Sequence, residues 1–239
     1  MNVVISQPMY FPWVGMFEQI ALADVFVFYT DVQFSKGSFT NRVQVKTQSG
    51  TKWMTVPLQD LKFGQRIDEV SVKPPRDWKP LHIDMLRDAL GQAPFFADAE
   101  ELVRRLPDSD QSNLAEVSSA SILAVCRYLG LARPRFVSIG ELQIGGKGSE
   151  RVLDVVKAVG GTRYITGHGA SNYLDHEAFD AAGVEVEYMD YRRSEYPQFY
   201  GEFTPFVTVL DLVAHCGRAG ISYIHSGTKP WRSFLGGQA

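Results

Sequence analysis

The chain has 239 residues, 45% hydrophobic and 21% charged, which are ordinary globular values and exclude disordered and fibrous classes. A net charge of −3 argues against a protein that grips a nucleic-acid backbone by bulk electrostatics. Two cysteines, Cys126 and Cys216, build no disulfide framework, no signal peptide opens the chain, and no apolar run spans a bilayer, so a soluble cytoplasmic protein is expected.

The first 34 residues predict a compact unit: a strand at Asn2–Ser6, a loop from Gln7 to Gly15, a short helix at Met16–Ala23 and a second strand at Asp24–Tyr29. Pro8 and Pro12 fix φ in the loop and remove two backbone donors, while Tyr10, Phe11 and Trp13 supply aromatic surface. A loop in that position, at the carboxyl end of the first strand of an α/β sheet, is where such sheets bind ligands. The alternative is a packed loop that only caps the core.

Strands Phe39–Thr47 and Lys52–Pro57 flank the turn Gln48-Ser-Gly-Thr51, with Trp53 expected on the buried face and a further strand at Glu69–Lys73. Pro74-Pro75 marks a break in organisation. From about 76 to 131 the pattern is helical: Leu81, Met85, Leu86 and Leu90 form one apolar face, a short helix covers Asp98–Leu106, and a long one runs from Ser112 or Asn113 to Gly130. This insertion reads as scaffold. Cys126 within it reads as a buried, inert thiol.

Alternation then resumes with a strand at Arg135–Ile139, a helix at Ser149–Val159, a strand at Arg163–Thr166, a helix at Asp175–Ala182, a strand at Val184–Tyr188 and a late helix at Thr208–Cys216. Strands separated by helices of about ten residues argue for parallel βαβ units. The expected fold is α/β: one domain over 1–239, a mostly parallel Rossmann-like sheet with an N-terminal βαβ unit, a β-hairpin and the helical insertion. The Gly236-Gly-Gln-Ala tail reads as a frayed end.

Three constellations carry candidate chemistry. Asp31, Gln33, Asn41 and Arg42 cluster between the second strand and the hairpin. A carboxylate there can hold an ammonium or take its proton, and Arg42 can grip a carboxylate or phosphate; the alternative is a structural Asp31–Arg42 ion pair. Gly145-Gly146-Lys147-Gly148-Ser149 leads into a helix whose Arg151 adds charge, an arrangement suited to an anion, or else Ser149 is an ordinary N-cap. The loop Gly167–Leu174 follows a parallel strand and offers Ser171 and Tyr173 as hydrogen-bonding groups, with His168 a lesser candidate as proton shuttle. The five histidines and two cysteines show no zinc-ligand spacing, so no metal is expected.

The run Gln7-Pro8-x-Tyr10-x-Pro12-Trp13-x-Gly15-x-Phe17, with Asp31-Val-Gln33-Phe34, Asn41-Arg42, Trp53-x-Thr55-Val56-Pro57, Tyr164-Ile-Thr-Gly167 and Tyr196-Pro197-Gln198, resembles the WbqC-like protein family. That resemblance spans nearly the whole chain and implies a place in the biosynthesis of O-antigen and other surface glycans or of natural products. The position before Gln7, usually His in that family, is Ser6 here, so no imidazole role carries over. The opening unit is also similar in topology to nucleotidyltransferase-type α/β proteins, whose two histidines have no counterpart around Trp13-Val-Gly15-Met16.

The favoured expectation is a group transferase that moves an acyl or aminoacyl group onto the amine of an amino sugar or related intermediate. Asp31 and Tyr10 are the expected catalytic residues. Gln7, Trp13, Gln33, Asn41, Arg42, Lys147, Ser149, Ser171 and Tyr173 are the expected substrate contacts. No cofactor is firmly implied; an acyl thioester, presented by a carrier protein, or a nucleotide is the expected co-substrate. The rival expectations are a nucleotide-dependent ligase or nucleotidyltransferase-like enzyme, and a non-catalytic accessory protein of glycan assembly.

Overall fold

A computed structural model describes residues 1–237. Strand β1 (Asn2–Ser6), helix α1 (Val14–Leu22) and strand β2 (Val25–Phe28) form the opening unit, and β1 and β2 pair in parallel. An antiparallel hairpin follows, β3 (Arg42–Thr47) and β4 (Gly50–Thr55), forming a separate two-stranded sheet. Three helices come next: α2 (Pro75–Leu90), α3 (Phe96–Arg104) and α4 (Leu114–Leu129). Then β5 (Arg135–Ser138), α5 (Ile139–Leu142), α6 (Gly148–Ala158), β6 (Arg163–Thr166), α7 (His176–Ala181) and β7 (Glu185–Asp190) restore the alternation. Helix α8 (Val209–Cys216), strand β8 (Gly227–Pro230) and helix α9 (Trp231–Gly236) complete the chain.

The main sheet has the order β5-β2-β1-β6-β7-β8, parallel except for β8, which runs antiparallel to β7. From β1 the chain moves outward through β2 to β5, then returns to the other side of β1 as β6 and moves outward again. This is the order of a doubly wound sheet, and its topological switch point lies between β1 and β6. Alternation along β1 separates two layers. Val4 faces a core built with α1 and the insertion helices, whereas Val3 and Ile5 face a second core with Val152, Val155 and Val156 of α6 and Phe179 of α7.

Local chemistry explains most boundaries. Asn113 caps α4 by accepting the Glu116 N–H at 2.9 Å, and Glu116 returns to the Asn113 N–H. Asp175 and Thr208 cap α7 and α8 with side-chain oxygens. Pro75 occupies the first position of α2, where its missing N–H removes no helical bond.

Several expectations need correction. The predicted strand Glu69–Lys73 begins as the end of a 3-10 turn (Ile67–Glu69), and Ser71 and Val72 make only isolated bridges, to Asn113 and Leu58. Trp53 is not buried: it pairs with Gln44 on the outer face of the hairpin, and Met54 opposite Val43 supplies the inner one. Leu81 points outward because α2 buries the stripe Trp78, His82, Leu86 and Ala89 instead. The frayed end expected at Gly236–Ala239 extends to Gln238 and Ala239, which lie outside the described residues.

The opening loop is clamped from three sides, by the segment before the hairpin, by the insertion and by the start of α8. The Tyr10 N–H donates to the Thr40 carbonyl at 3.1 Å, the Phe11 N–H to Ser121 Oγ of α4 at 2.9 Å, and Thr208 Oγ1 to the Phe11 carbonyl at 2.9 Å. Phe11 is held at φ 38°, a left-handed conformation for a bulky side chain, so these bonds over-determine a strained turn. Beneath it Tyr10 Oη bonds His82 Nδ1 at 3.0 Å, and His82 Nε2 donates to the Thr55 carbonyl at 3.0 Å.

Burial holds the His82 imidazole down to about 4. The folded protein therefore keeps it neutral where the unfolded chain, with an ordinary value near 6.5, binds a proton. Stability from this group is fully present above about pH 6.5 and is lost as pH falls toward 4, by about 3 kcal/mol in total. Urea unfolding across that window should show this loss, and His82→Gln should flatten it.

Candidate functional site

A hollow of about 780 Å³ opens at the carboxyl ends of β1 and β6, the switch point of the sheet. Ser6 and Gln7 follow β1, Thr166 and Gly167 follow β6, and the tip of β2 delivers Tyr29 and Asp31. The start of α6 brings Gly146, Lys147, Gly148 and Arg151, while Trp13 and Tyr191 form an aromatic wall. Among the described residues its lining contains one carboxylate, Asp31, two cations, Lys147 and Arg151, and neither histidine nor cysteine.

Asp31 is bound asymmetrically. Arg151 Nη2 donates to its Oδ2, while Oδ1 is buried with no hydrogen-bond partner. The guanidinium is nearly buried, also donates to the Ile144 carbonyl from Nε at 3.0 Å and from Nη2 at 2.8 Å, and lies 5.0 Å from the Tyr29 ring centre. The Asp31 contact raises the Arg151 pKa further, so the cation is permanent. The pair is thus a fixed, net-neutral ion pair in which Arg151 holds one carboxylate oxygen and the other lies buried without a partner.

Lys147 precedes α6 between Gly146 at φ +87° and Gly148 at φ +64°. Both glycines adopt conformations that a side chain would strain. Among the described residues Lys147 forms no ion pair, so its ammonium stands beside the N-terminal end of an eleven-residue helix.

Burial raises the phenols of Tyr29, Tyr164 and Tyr173, and pushes that of Tyr191 up to about 12. All four are neutral near pH 7 and serve as hydrogen-bonding groups rather than bases. The proton-accepting capacity of the lining therefore rests on Asp31.

The Trp13 ring is 5.0 Å from that of Tyr191 and 5.6 Å from that of Phe206. It folds back over Gly15, where an added Cβ would fall 2.1 Å from the indole. Gly15→Ala is therefore expected to swing Trp13 out of the wall, which a red shift in tryptophan emission would report.

Six expected site residues converge on this hollow: Gln7, Trp13, Asp31, Gln33, Lys147 and Tyr173. Five do not. Tyr10 is completely buried beneath the loop and bonded to His82, because the strained turn at Phe11 directs it into the core. Asn41 is buried with its Nδ2 donating to the Val56 carbonyl at 3.0 Å, and Arg42 donates to the Gly37 carbonyl and stacks 4.1 Å from the Trp53 ring centre. Ser149 Oγ accepts the Asp175 N–H at 2.8 Å, and Ser171 Oγ donates to the His168 carbonyl at 2.8 Å. His168 itself is occupied by the Met189 carbonyl, at 2.7 Å from Nε2.

The alternative ion pair also changes partner, from Asp31–Arg42 to Asp31–Arg151. Sequence reasoning noted Arg151 only as added charge. The signal was its spacing, since a residue one turn into a helix that starts at Gly148 returns toward the loop before it. Tyr29, Thr166 and Tyr191 escaped notice because nothing local distinguishes a strand-end residue that faces a ligand from one that faces the core.

Among the described residues no helix is long and apolar enough to cross a membrane. No solved structure matches the chain. It is 32% identical over 226 residues to the uncharacterized protein Rv1507c of Mycobacterium tuberculosis, a match covering 93% of this chain and 97% of the relative. A comparison with family profiles matches residues 7–223 to the WbqC-like protein family. That span takes in the opening loop, Asp31, Lys147 and Arg151, and the chain belongs to the WbqC-like family.

Proposed function

We propose that this protein is a transferase that forms an amide on an amine-bearing intermediate, such as an amino sugar, in surface-glycan or natural-product biosynthesis. The carrying observation is Asp31, among the described residues the one carboxylate in the hollow's lining, with Oδ2 held by Arg151 and Oδ1 left without a hydrogen-bond partner. An acceptor amine donates a hydrogen bond to it, which orients the nitrogen lone pair toward a donor carbonyl. Attack forms the C–N bond and breaks the acyl–sulfur bond of a thioester. Asp31 takes the proton that the nitrogen loses, and the proton then reaches the departing thiolate or solvent. Among the described residues the lining holds no thiol, and its buried phenols stay neutral, so direct attack is favoured over a covalent thioester or phenyl-ester intermediate on the protein.

Lys147 and the start of α6 receive an anionic part of the acceptor, while Trp13 and Tyr191 cover an apolar or ring face. The test is to incubate the purified protein with amino sugars, their nucleotide-linked forms and short acyl pantetheine thioesters, and to follow amide products by mass spectrometry. Product that depends on protein and on both substrates supports the reading, and its absence across the panel counts against it.

The switch-point location also favours a nucleotide-dependent reading, because doubly wound sheets bind nucleotides there. It requires calorimetric binding of ATP or CTP that Lys147→Ala removes. No heat with or without magnesium would end that version.

A further inference from the structure

We propose that the hairpin side of the hollow is a docking surface for an acidic carrier protein that delivers the acyl thioester on a flexible arm; this rests on the transferase reading above. Residues 35–66 hold six basic side chains and one acidic one, Asp60, in a chain whose net charge is −3. The remainder of the chain is therefore net acidic, and this segment concentrates basic charge. Lys36 and Lys62 are exposed and, among the described residues, form no ion pair. Arg66 is already compensated by Asp68 and Glu69.

Apolar surface occupies the same segment. Phe63 is 100% exposed, Phe39 50% and Trp53 39%. Phe39 and Trp53 touch, with ring centres 5.5 Å apart, and Phe39 also lines the mouth of the hollow. The loop carrying Phe63 is tied to the hollow's edge, because the Phe34 N–H donates to the Gln65 carbonyl at 2.8 Å and Gln33 bridges to Arg66. The Lys62 N–H donates to Gln65 Oε1 at 2.6 Å, so the tip is a bonded turn that holds a phenylalanine in water. Exposed aromatic anchors and unpaired lysines on one segment complement an acidic protein surface with an apolar centre. An RNA partner would call for an extended cationic track, whereas here Arg42 is turned onto the Gly37 carbonyl, Lys46 onto Gln198 and Glu202, and Arg66 onto Asp68 and Glu69.

The test uses the full chain with a purified acyl carrier protein, in apo and holo forms, followed by fluorescence anisotropy at 50 and 300 mM salt. Mixed tRNA and anionic phosphatidylglycerol vesicles are parallel probes. Both carrier forms should bind alike, weaken at the higher salt, and lose at least tenfold in affinity with Lys36→Glu/Lys62→Glu and with Phe63→Ser. All three positions are exposed, so the melting temperature should stay unchanged.

The proposal is overturned if the carrier does not bind, if it binds the variants equally, or if only RNA or vesicles respond to these substitutions. A pantetheine thioester that acylates the acceptor equally in wild type and variants leaves the transferase reading standing whichever way docking falls. Loss of that small-thioester reaction in the wild type would count against the reading itself.

Discussion

Asp31→Asn should reduce amide formation by about 10²- to 10⁴-fold, the range for removing a positioned general base, and leave the fold intact. Asparagine is nearly isosteric and its carbonyl oxygen still accepts from Arg151, so the anchor persists. What disappears is the negative charge, and with it the capacity to take a proton, at the one carboxylate that the lining holds among the described residues. The replacement amide accepts hydrogen bonds but takes no proton at neutral pH, so turnover should fall far more than acceptor binding. Single-turnover kinetics with saturating donor separate the two. A rise in KM with kcat unchanged would assign Asp31 to binding alone. Arg151→Met gives the counterpart: it leaves an uncompensated carboxylate in a partly buried setting and should cost stability as well as rate.

Tyr10→Ala should destabilise the protein by about 3–5 kcal/mol, the range for removing a large aromatic from a packed core. Tyr10 is wholly buried, packs edge-on against Phe11 and Trp78, and bonds His82. Tyr10→Phe isolates the hydroxyl. It leaves one ring nitrogen of His82 without a partner in a buried site and should cost about 1–3 kcal/mol, measured by urea unfolding. Turnover per folded molecule should not change, because the phenol is buried against His82 and does not line the hollow. A specific rate loss at unchanged stability would return Tyr10 to the catalytic set.

Much of the scaffold was legible because its signals are local. The β6 boundaries follow from the β-prone run Arg163-Tyr-Ile-Thr166 between Gly161 and Gly167, and α4 from an Asn cap and a Gly stop. The late elements β8 and α9 were not legible. Their stabilising contacts are long-range: Phe234 stacks on Tyr188 with ring centres 4.2 Å apart, and Trp231 stacks on His176 at 4.7 Å. Leu81 and Trp53 were misassigned for a related reason. Periodicity finds a face, but only packing decides which of two adjacent faces the core covers.

The site was half legible on the same grounds. Gln7, Asp31 and Lys147 sit where a doubly wound sheet must place strand ends and a helix start, so topology alone brings them together. Tyr10 and Asn41 share the same short segments, yet one backbone turn at Phe11 and one bond to Val56 send them inward. Spacing along a loop does not reveal such reversals, since a positive φ at a phenylalanine has no sequence signature.

The most direct test of the account is whether the hollow recognises an amine through Asp31. Calorimetric titration should compare an amino sugar with its N-acetylated counterpart, against wild type and Asp31→Asn. The wild type is expected to prefer the free amine by at least tenfold, and the variant to lose that preference while remaining folded. Equal binding of both sugars by the wild type, or a preference that survives in the variant, would contradict the assignment of Asp31 as the amine's partner.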